Sequence, residues 1–156
     1  MRYASSMDGH AGLVVRSMRP SDQNFVADLG RSAFAEYSRE PSAGVLAMAR
    51  RGRTLVASQG GELVGFAIVE MQSSHSAHLA AISVTERARG RGVARALVRG
   101  AERLARHAGA RSLGLVTADS NLAALELFLR CGFERVRRHT RYYQRGQDSV
   151  RMEKNL

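Results

Sequence analysis

The sequence predicts a single α/β domain, built on one mixed, twisted sheet with helices on both faces. Two observations predict it. β-like and amphipathic helical segments follow each other in the order β, α, α, β, β, β, α, β, α, β, β. The run SLGLVT at 112–117 is apolar enough for a strand covered on both sides. Strand-to-helix alternation of this kind needs crossover helices between parallel strands, so we expect about seven strands.

The first half of the chain supplies one strand, two helices and three further strands. The stretch LVVRSMRPSD at 13–22 reads as a short strand that Pro20 closes, and Ser21 or Asp22 can cap a helix reaching about Phe34. A second helix follows Pro41. The next three segments alternate with a period of two residues, and a glycine pair separates the first two as in a hairpin. They read RTLVAS, ELVGFAIVEM and AHLAAISV.

The second half contains two helices and three strands. From residue 93 to His107, apolar residues recur every three or four positions, and Gly109 ends that helix. Ser120 or Asn121 can cap the last helix, and Gly132 sits where a left-handed C-terminal residue belongs. Two final strands follow between 133 and 154, joined by YYQRGQD. The predicted inward positions of the two helices are Val93, Leu97, Ala101, Leu104, Ala108, Leu125, Phe128 and Leu129.

The charge is strongly positive and is carried by arginine. The 156 residues have a formal net charge of +10, and Lys154 is the only lysine. Arginine presents donors that match phosphate and carboxylate oxygens in pairs. We therefore expect an anionic partner, whose identity charge alone does not fix.

The remaining composition favours a cytoplasmic protein. One cysteine, Cys131, excludes an intramolecular disulfide and a cysteine-based zinc site. The opening segment lacks the apolar centre of a signal peptide, and the longest apolar run, LVGFAIV, is too short to span a bilayer. We expect residues 1–12 to be a flexible leading segment and residues 13–156 to form the domain, with neither a membrane nor a metal among its partners.

The most informative segment is the glycine-arginine turn at 89–95. A strand that passes through glycines into a helix presents free backbone N–H groups and the positive end of the helix dipole to one point, which is how phosphates are held. A dinucleotide-binding motif is disfavoured because Arg95 occupies its third glycine position. A disordered arginine-glycine segment does not fit the well-patterned helix that follows. An ordinary solvated loop stays open as an alternative.

Two motifs carry a family resemblance. The run Arg89-Gly-Arg-Gly92-Val-Ala94 resembles the R/Q-x-x-G-x-G/A acetyl-CoA signature of GNAT superfamily N-acetyltransferases. The segment NLAALELFLRCGF, from Asn121 to Phe133, resembles that family's N-x-x-A-x-x-x-Y-x-x-x-G-F segment. The ending, with its Tyr-Tyr pair before the last strand, is similar to RimI-type protein Nα-acetyltransferases. The resemblance implies a GNAT-like fold whose two central parallel strands splay apart.

The resemblance also implies a place for acetyl-CoA, as co-substrate. The backbone of one splayed strand would pair with the pantetheine arm, the amides of the glycine-arginine turn would hold the diphosphate, and Asn121 would lie near the thioester. A plain helix cap is an equally good explanation of Asn121. The expected cofactor-binding residues are Ile82, Ser83, Val84, Arg89, Gly90, Arg91, Gly92, Val93, Ala94, Arg95, Asn121 and Phe128.

The expected catalytic positions depart from the family pattern. The resemblance puts Phe128 where a tyrosine acid usually stands and Val116 where RimI-type enzymes have a glutamate base, and neither side chain can move a proton. Glu70 is our candidate base through water, and Tyr142 and Tyr143 are candidate acids. The ordinary pKa of histidine suits a base, which makes His75 and His78 further candidates, although a histidine beside a loop is more often simply solvated. The expected acceptor-binding residues are Phe34, Tyr37 and Tyr142, with Tyr142 thus given two roles.

The function expected is transfer of acetyl from acetyl-CoA to a primary amine, by direct attack in a ternary complex. Without a strong base, an α-amine of pKa ~8 is favoured over a lysine of pKa ~10.4, because far more of it is neutral at pH ~7.4. A peptide N-terminus is the first choice and a small amine the second. The alternatives are an arginine-rich nucleic-acid-binding module and a catalytically silent acetyl-CoA-binding protein. A monomer and a homodimer are both compatible with the sequence.

Overall fold

The computed structural model describes residues 2–3 and 12–156. Of the expected leading segment, residues 1 and 4–11 therefore lie outside the described residues. Arg2–Tyr3 form a short strand that pairs with Arg16 and Val15. No helix in the described part of the chain is both long and apolar enough to cross a membrane.

From Leu13 onward the elements follow the predicted order, which is confirmed; the two-residue strand Arg2–Tyr3 precedes them and brings the sheet of the described residues to eight strands, one more than expected. They are β1 (Arg2–Tyr3), β2 (Leu13–Ser17), α1 (Gln23–Phe34), α2 (Pro41–Arg51), β3 (Arg53–Gln59), β4 (Glu62–Met71), β5 (Ser76–Val84), α3 (Val93–His107), β6 (Ser112–Ala118), α4 (Leu122–Arg130), β7 (Glu134–His139) and β8 (Ser149–Asn155). Short 3-10 turns occur at Pro20–Asp22 and Glu86–Ala88. Over the described residues the strands form one sheet in the order β1-β2-β3-β4-β5-β6-β8-β7.

Two apolar clusters cover the two faces of the sheet, as predicted. The larger one joins the inner side of α3 and α4 to the sheet, and the smaller one joins α1 and α2 to it. Strand β4 shows the alternation directly, because Ala67 and Val69 belong to the larger cluster while Phe66 and Ile68 belong to the smaller. We call these two sides of the sheet the α3 face and the α1–α2 face.

Three details of the helices differ from the sequence expectation. Ala108 is exposed because α3 ends at His107, so the helical period no longer applies to it. Leu129 is 45% exposed on the outer side of α4, whereas Leu125 and Phe128 point inward. Asp22 precedes α1 but makes no capping bond; its carboxylate accepts from the Arg19 backbone N–H and pairs with Arg16 at 2.7 Å.

The feature that positions the site is the parallel pair β5 and β6. These strands pair only from Ser76–Ser112 to Leu79–Leu115 and then separate. At the point of separation β5 contains one extra residue, Ala80, because its register with β4 moves from Leu79 to Ala81 across consecutive β4 positions. A bulge of this kind bends a strand, and here it turns β5 away from β6. The predicted splay of central parallel strands is confirmed.

Candidate active site

The start of α3 is open to an anion. Gly90 and Gly92 have left-handed backbones, with φ of +74° and +78°, which favours glycine at both positions. No side chain caps the helix, and its first turn contains no acidic residue. The first N–H groups of α3, including those of Val93 and Ala94, therefore lack intrahelical partners at the positive end of the helix dipole.

The surroundings of this turn suit an extended phosphate group. A Cβ added at Gly90 would have no neighbouring atom within 4 Å, so the space in front of its backbone is free. Arg89, Arg91 and Arg95 are exposed around it, while Val93 is 1% exposed and anchors the helix in the larger cluster. The preceding cation, Arg87, is bonded to Glu62 instead. The turn thus combines open backbone with unshielded positive charge.

The same end of β5 offers a free strand edge. Ile82, Ser83 and Val84 pair on one side with Ala67, Phe66 and Gly65 of β4. On the other side their pairing with β6 has already ended. Their backbone groups on that side can accept an added extended chain, which is what the sequence resemblance implies for a pantetheine arm.

Asn121 and Phe128, at the start of α4 and within it, have clear structural roles. The side-chain oxygen of Asn121 accepts from the Ala124 N–H at 3.2 Å, so the helix-cap interpretation is confirmed, and its amide NH₂ takes no part in that bond. Phe128 is 3% exposed and contacts Phe133 edge-on, with ring centroids 5.7 Å apart. Its role toward a cofactor stays a prediction. Val116, half-buried, is the first β6 residue past the last pair with β5.

An aromatic cluster joins two loops beside the gap. Tyr37, in the α1–α2 loop, and Tyr143, in the β7–β8 loop, have ring centroids 5.0 Å apart, and Tyr142 packs edge-on against Tyr143 at 5.0 Å. The hydroxyl of Tyr37 also lies close enough to Ser120, just after β6, for the Ser120 side chain to lower its pKa slightly. Backbone contacts support the same junction: Gln144 Oε1 accepts from the Arg39 N–H at 2.8 Å, and Gln147 Nε2 donates to the Glu36 carbonyl at 2.7 Å.

Tyr37 and Tyr143 of this cluster stay protonated at neutral pH. Burial raises the pKa of the Tyr143 hydroxyl well above its usual value, and the neighbouring Tyr142 and Tyr37 raise it further. Burial and the charge of Glu36 raise the pKa of Tyr37, against a smaller lowering by the Ser120 hydrogen bond. Tyr142 is 52% exposed. Phe34 ends α1 and packs on the smaller cluster.

The proton-accepting candidates Glu70 and His78 face each other across β4 and β5. They are directly paired residues on the α1–α2 face. Glu70 is held by Arg51 at 3.3 Å. Burial lowers the pKa of His78, Glu70 raises it, and Arg151 lowers it. His78 is therefore neutral at pH 7, and its ring lies beside Gly114, one pair before the separation of β5 and β6.

The other titratable candidates lie elsewhere. His75 is exposed before the paired end of β5, away from the splay, and its Nδ1 lies 2.9 Å from Ser74 Oγ. Cys131 follows α4, and burial raises the pKa of its thiol. Among the described residues, no group of three or more His, Cys, Asp or Glu is placed to hold a metal ion. Sequence reasoning separated His78 from His75 only weakly; the signal for His78 was its place between the buried alternating residues Ala77 and Leu79.

A sheet split at two parallel strands, with an open helix start at the end of the gap, defines an acyl-transferase type of α/β fold. The sequence matches the acetyltransferase (GNAT) family over residues 22–133, more than half of the chain. The chain belongs to this family. No curated protein matches it by sequence.

Solved structures support the same fold. Ard1 from Thermoplasma volcanium superposes with a TM-score of 0.84 at 23% identity, covering 94% of this chain and 99% of that one. The ribosomal-protein-S18-alanine N-acetyltransferase from Escherichia coli gives a TM-score of 0.77 at 21% identity, over 92% and 94%. An acetyltransferase from Bacillus subtilis in complex with CoA gives 0.76 at 21%, over 92% and 99%. The resemblance to RimI-type enzymes therefore extends from the sequence motifs to the fold.

Proposed function

We propose that the protein transfers an acetyl group from acetyl-CoA to a primary amine, by direct attack in a ternary complex. A peptide N-terminus is the first-choice acceptor and a small amine the second. One observation carries the proposal: β5 and β6 stop pairing at Leu79 and Leu115, and the free edge of β5 leads directly into the uncapped start of α3. Backbone of this geometry binds a linear cofactor with a diphosphate at one end.

Acetyl-CoA is a substrate here and supplies the acetyl group as a thioester. The N–H groups at the head of α3 bind its diphosphate, and the surrounding Arg89, Arg91 and Arg95 add charge. The backbone of Ile82, Ser83 and Val84 pairs with the pantetheine arm. Asn121 uses its free amide NH₂ toward the thioester end. The fit rests on the open space at Gly90 and on the missing cap at α3.

His78 accepts the proton of the acceptor amine through water. A neutral imidazole is a competent proton acceptor at pH 7, and burial keeps this one neutral. Glu70 is the less suitable base because Arg51 holds its carboxylate. It acts instead as a positioning residue that stabilises the protonated form of His78. Other charged side chains on this face include Arg51, Arg151 and Glu153, and, on the edge strand β7, Glu134 and Arg137.

Tyr143 donates a hydrogen bond to the departing thiolate. Its raised pKa keeps the hydroxyl protonated over the working range, so it assists as a donor. Neither Val116 nor Phe128 can do this. A thiol of pKa ~8.5 leaves readily, so a hydrogen-bond donor is sufficient for this step.

The acceptor enters between the α1–α2 and β7–β8 loops. Tyr37 and Phe34 line one side, and the exposed ring of Tyr142 lines the other. Two polar atoms in this region, Ser149 Oγ and Gln147 Oε1, are buried without a hydrogen bond among the described residues. Buried polar atoms of this kind are usually satisfied by water or a ligand.

The test is release of free thiol from acetyl-CoA with a panel of amines. We expect turnover with Ala-starting peptides, less with free lysine side chains and least with polyamines. An absence of thiol release with every amine tested, by protein shown to be folded, would contradict the proposal. Raising the salt concentration separates the nucleic-acid alternative, whose binding must weaken steeply with salt.

A catalytically silent acetyl-CoA-binding protein is the second candidate. The apolar side chains Val116 and Phe128, at the two usual catalytic positions, support it. It predicts a rise in melting temperature with acetyl-CoA but no thiol release with any amine. The nucleic-acid module has less support, because many arginines are already paired with carboxylates on several elements. These include Arg16, Arg31, Arg51, Arg87, Arg130, Arg138 and Arg151.

A further inference from the structure

A bulge in the edge strand β7 re-aims one arginine. Arg135 pairs with Met152 of β8, but the next β8 residue, Arg151, pairs with Arg137, so Val136 is an extra residue. In an uninterrupted strand, Arg135 and Arg137 would share a face. Because Met152 belongs to the larger cluster, Arg135 lies on the α3 face and the bulge puts Arg137 on the α1–α2 face. Bulges of this type are frequent beside active sites, where they redirect a side chain.

The redirected residue creates a pair of like charges. Arg137 and Arg151 are directly opposed, and like charges in this position destabilise a sheet. The Nε and Nη2 groups of Arg151 donate to Glu153 Oε1, at 3.1 and 2.7 Å, and Nη1 takes no part in that contact. Within residues 12–156 no carboxylate pairs with the exposed Arg137. Donor capacity is therefore available at both residues, and the repulsion between them is relieved when an anion binds.

The two arginines are level with the open part of the splay. Arg151 is paired on its other side with Val116, the first β6 residue beyond the last β5 pair. Neighbouring strands lie about 4.8 Å apart, so the backbones of β8 and β7 run about 5 and about 10 Å from β6 at this level. The glutamates Glu134 and Glu153 oppose each other on the row of Gly114, in the paired part of the sheet.

We propose that Arg137 and Arg151 recognise an acidic side chain at the second or third residue of an acceptor peptide. The proposal rests on the proposed function, since it assigns the acceptor of the same site. An extended peptide advances about 3.3–3.6 Å per residue and its side chains alternate in direction, so a chain that runs from the splay toward β7 carries its second or its third side chain over these arginines. The carboxylate of a free amino acid lies too near its amine to reach both the splay and Arg137.

The experiment compares three peptides that differ only at positions 2 and 3, beginning Ala-Glu-Glu, Ala-Gln-Gln and Ala-Lys-Lys. Free glutamate is a fourth acceptor, and kcat/KM for thiol release is measured at low salt. For the wild-type protein we expect the order acidic, neutral, basic, with steps of about three- to fivefold, the size typical of exposed charge pairs. Free glutamate should be the poorest acceptor. R137E should reverse the peptide order.

R135E is the matched control, because it makes the same change in net charge two residues away on the other face. It should leave the peptide order unchanged. Equal shifts by R135E and R137E, or turnover of all three peptides at one rate, would overturn the proposal while leaving the acetyltransferase function intact. A preference for free glutamate would overturn it as well. Failure of every acceptor would remove the proposed function and this proposal together.

Discussion

The cofactor side and the acceptor side of this protein are built in different ways. The first is almost continuous in sequence: the free edge of β5, the glycine turn and the head of α3 lie within residues 80–95. The second brings together loops more than 100 residues apart, as in the contact between Arg39 and Gln144. One side depends on backbone conformation, and the other on side chains that only the folded sheet brings together.

This difference indicates which side of the site is less sensitive to substitution. Among substitutions only proline removes a backbone N–H group, so the cofactor side should tolerate varied side chains around the helix start. The acceptor side depends on individual groups such as His78, Tyr143 and Tyr37. Substitutions on the acceptor side should therefore alter rates and acceptor selectivity, whereas only new charge or bulk should damage cofactor binding.

His78→Gln should have the largest effect. We expect kcat to fall by about 100-fold or more, within the range for loss of a general base. In the wild type, activity should fall as the pH drops through the His78 pKa, which lies below its usual value, because the imidazole is neutral only above that pKa. The variant should lack this limb of the pH profile, measured as kcat from pH 5 to 9.

His75→Gln is the control for this experiment. His75 is exposed and lies before the paired end of β5, so its substitution should leave kcat and the pH profile as in the wild type. A profile of H78Q that keeps the acidic limb would assign proton transfer to another group. Glu70 would then be the next residue to substitute, with glutamine.

Ala94→Glu tests the cofactor side. Ala94 is the second residue of α3, where a carboxylate is favourable to the helix dipole but opposes a bound diphosphate. We expect the Kd for acetyl-CoA to rise at least about tenfold, as a like charge within a few ångströms costs on the order of 1–4 kcal/mol near a protein surface. Calorimetry gives the Kd, and chemical denaturation measures the cost of the longer side chain at Ala94, which is half-buried against the larger cluster.

Ala123→Glu makes the matched change at the second residue of α4, which is exposed. The carboxylate added at the start of α4 should stabilise the folded state by about 0.3–1 kcal/mol through the helix dipole. Its Kd for acetyl-CoA should stay within about twofold of the wild-type value, since helix-end effects fall off within one turn. Equal weakening by both variants would show that net charge, rather than the head of α3, governs binding.

Tyr143→Phe should have a smaller effect on rate. Loss of the hydroxyl should lower kcat by about tenfold, below the usual range for a general acid, because the thiol leaves readily. The pH profile between 6 and 9 should not change, since the raised pKa of Tyr143 keeps it protonated throughout. Wild-type kcat in this variant would exclude Tyr143 from the transfer step.

Tyr37→Ala should have the smallest effect and should act on one substrate only. Removing its contact with Tyr143 should raise the KM for the acceptor by about two- to tenfold, the range for an aromatic pair. The KM for acetyl-CoA should change little. Tyr37→Phe keeps the ring and loses only the hydroxyl near Ser120, so its acceptor KM should lie between those of the wild type and Y37A. A larger change in the acetyl-CoA KM would contradict the assignment of Tyr37 to the acceptor side.

The cofactor side could be predicted from sequence because its determinants are local. The glycine-arginine turn indicated open backbone at the start of a helix, and the apolar period of α3 followed at once. Two inward positions predicted for α3 and α4 were wrong. Ala108 lies past the end of α3 and Leu129 lies on the outer surface of α4, where periodicity no longer decides burial. Asn121 shows the same locality, since its cap is a bond to a residue three positions away.

The acceptor side could be predicted only as a list of candidates. Nothing in the strand patterns shows that β5 and β6 separate after four pairs, or that Ala80 and Val136 are extra residues in their ladders. A one-residue shift in register reverses which face a side chain occupies. For this reason the sequence could suggest His78 as a base, but not that it faces Glu70, and it gave no indication that Arg137 and Arg151 are opposed.

The most direct test of the account is titration of the folded protein with acetyl-CoA, and with CoA alone, by isothermal calorimetry. Both should bind saturably at one site per chain, and A94E should weaken both by a similar factor, since they share the diphosphate. Saturable binding of both that A94E leaves unchanged, or no heat with either, would contradict the central claim that the free amides at the head of α3 hold the coenzyme.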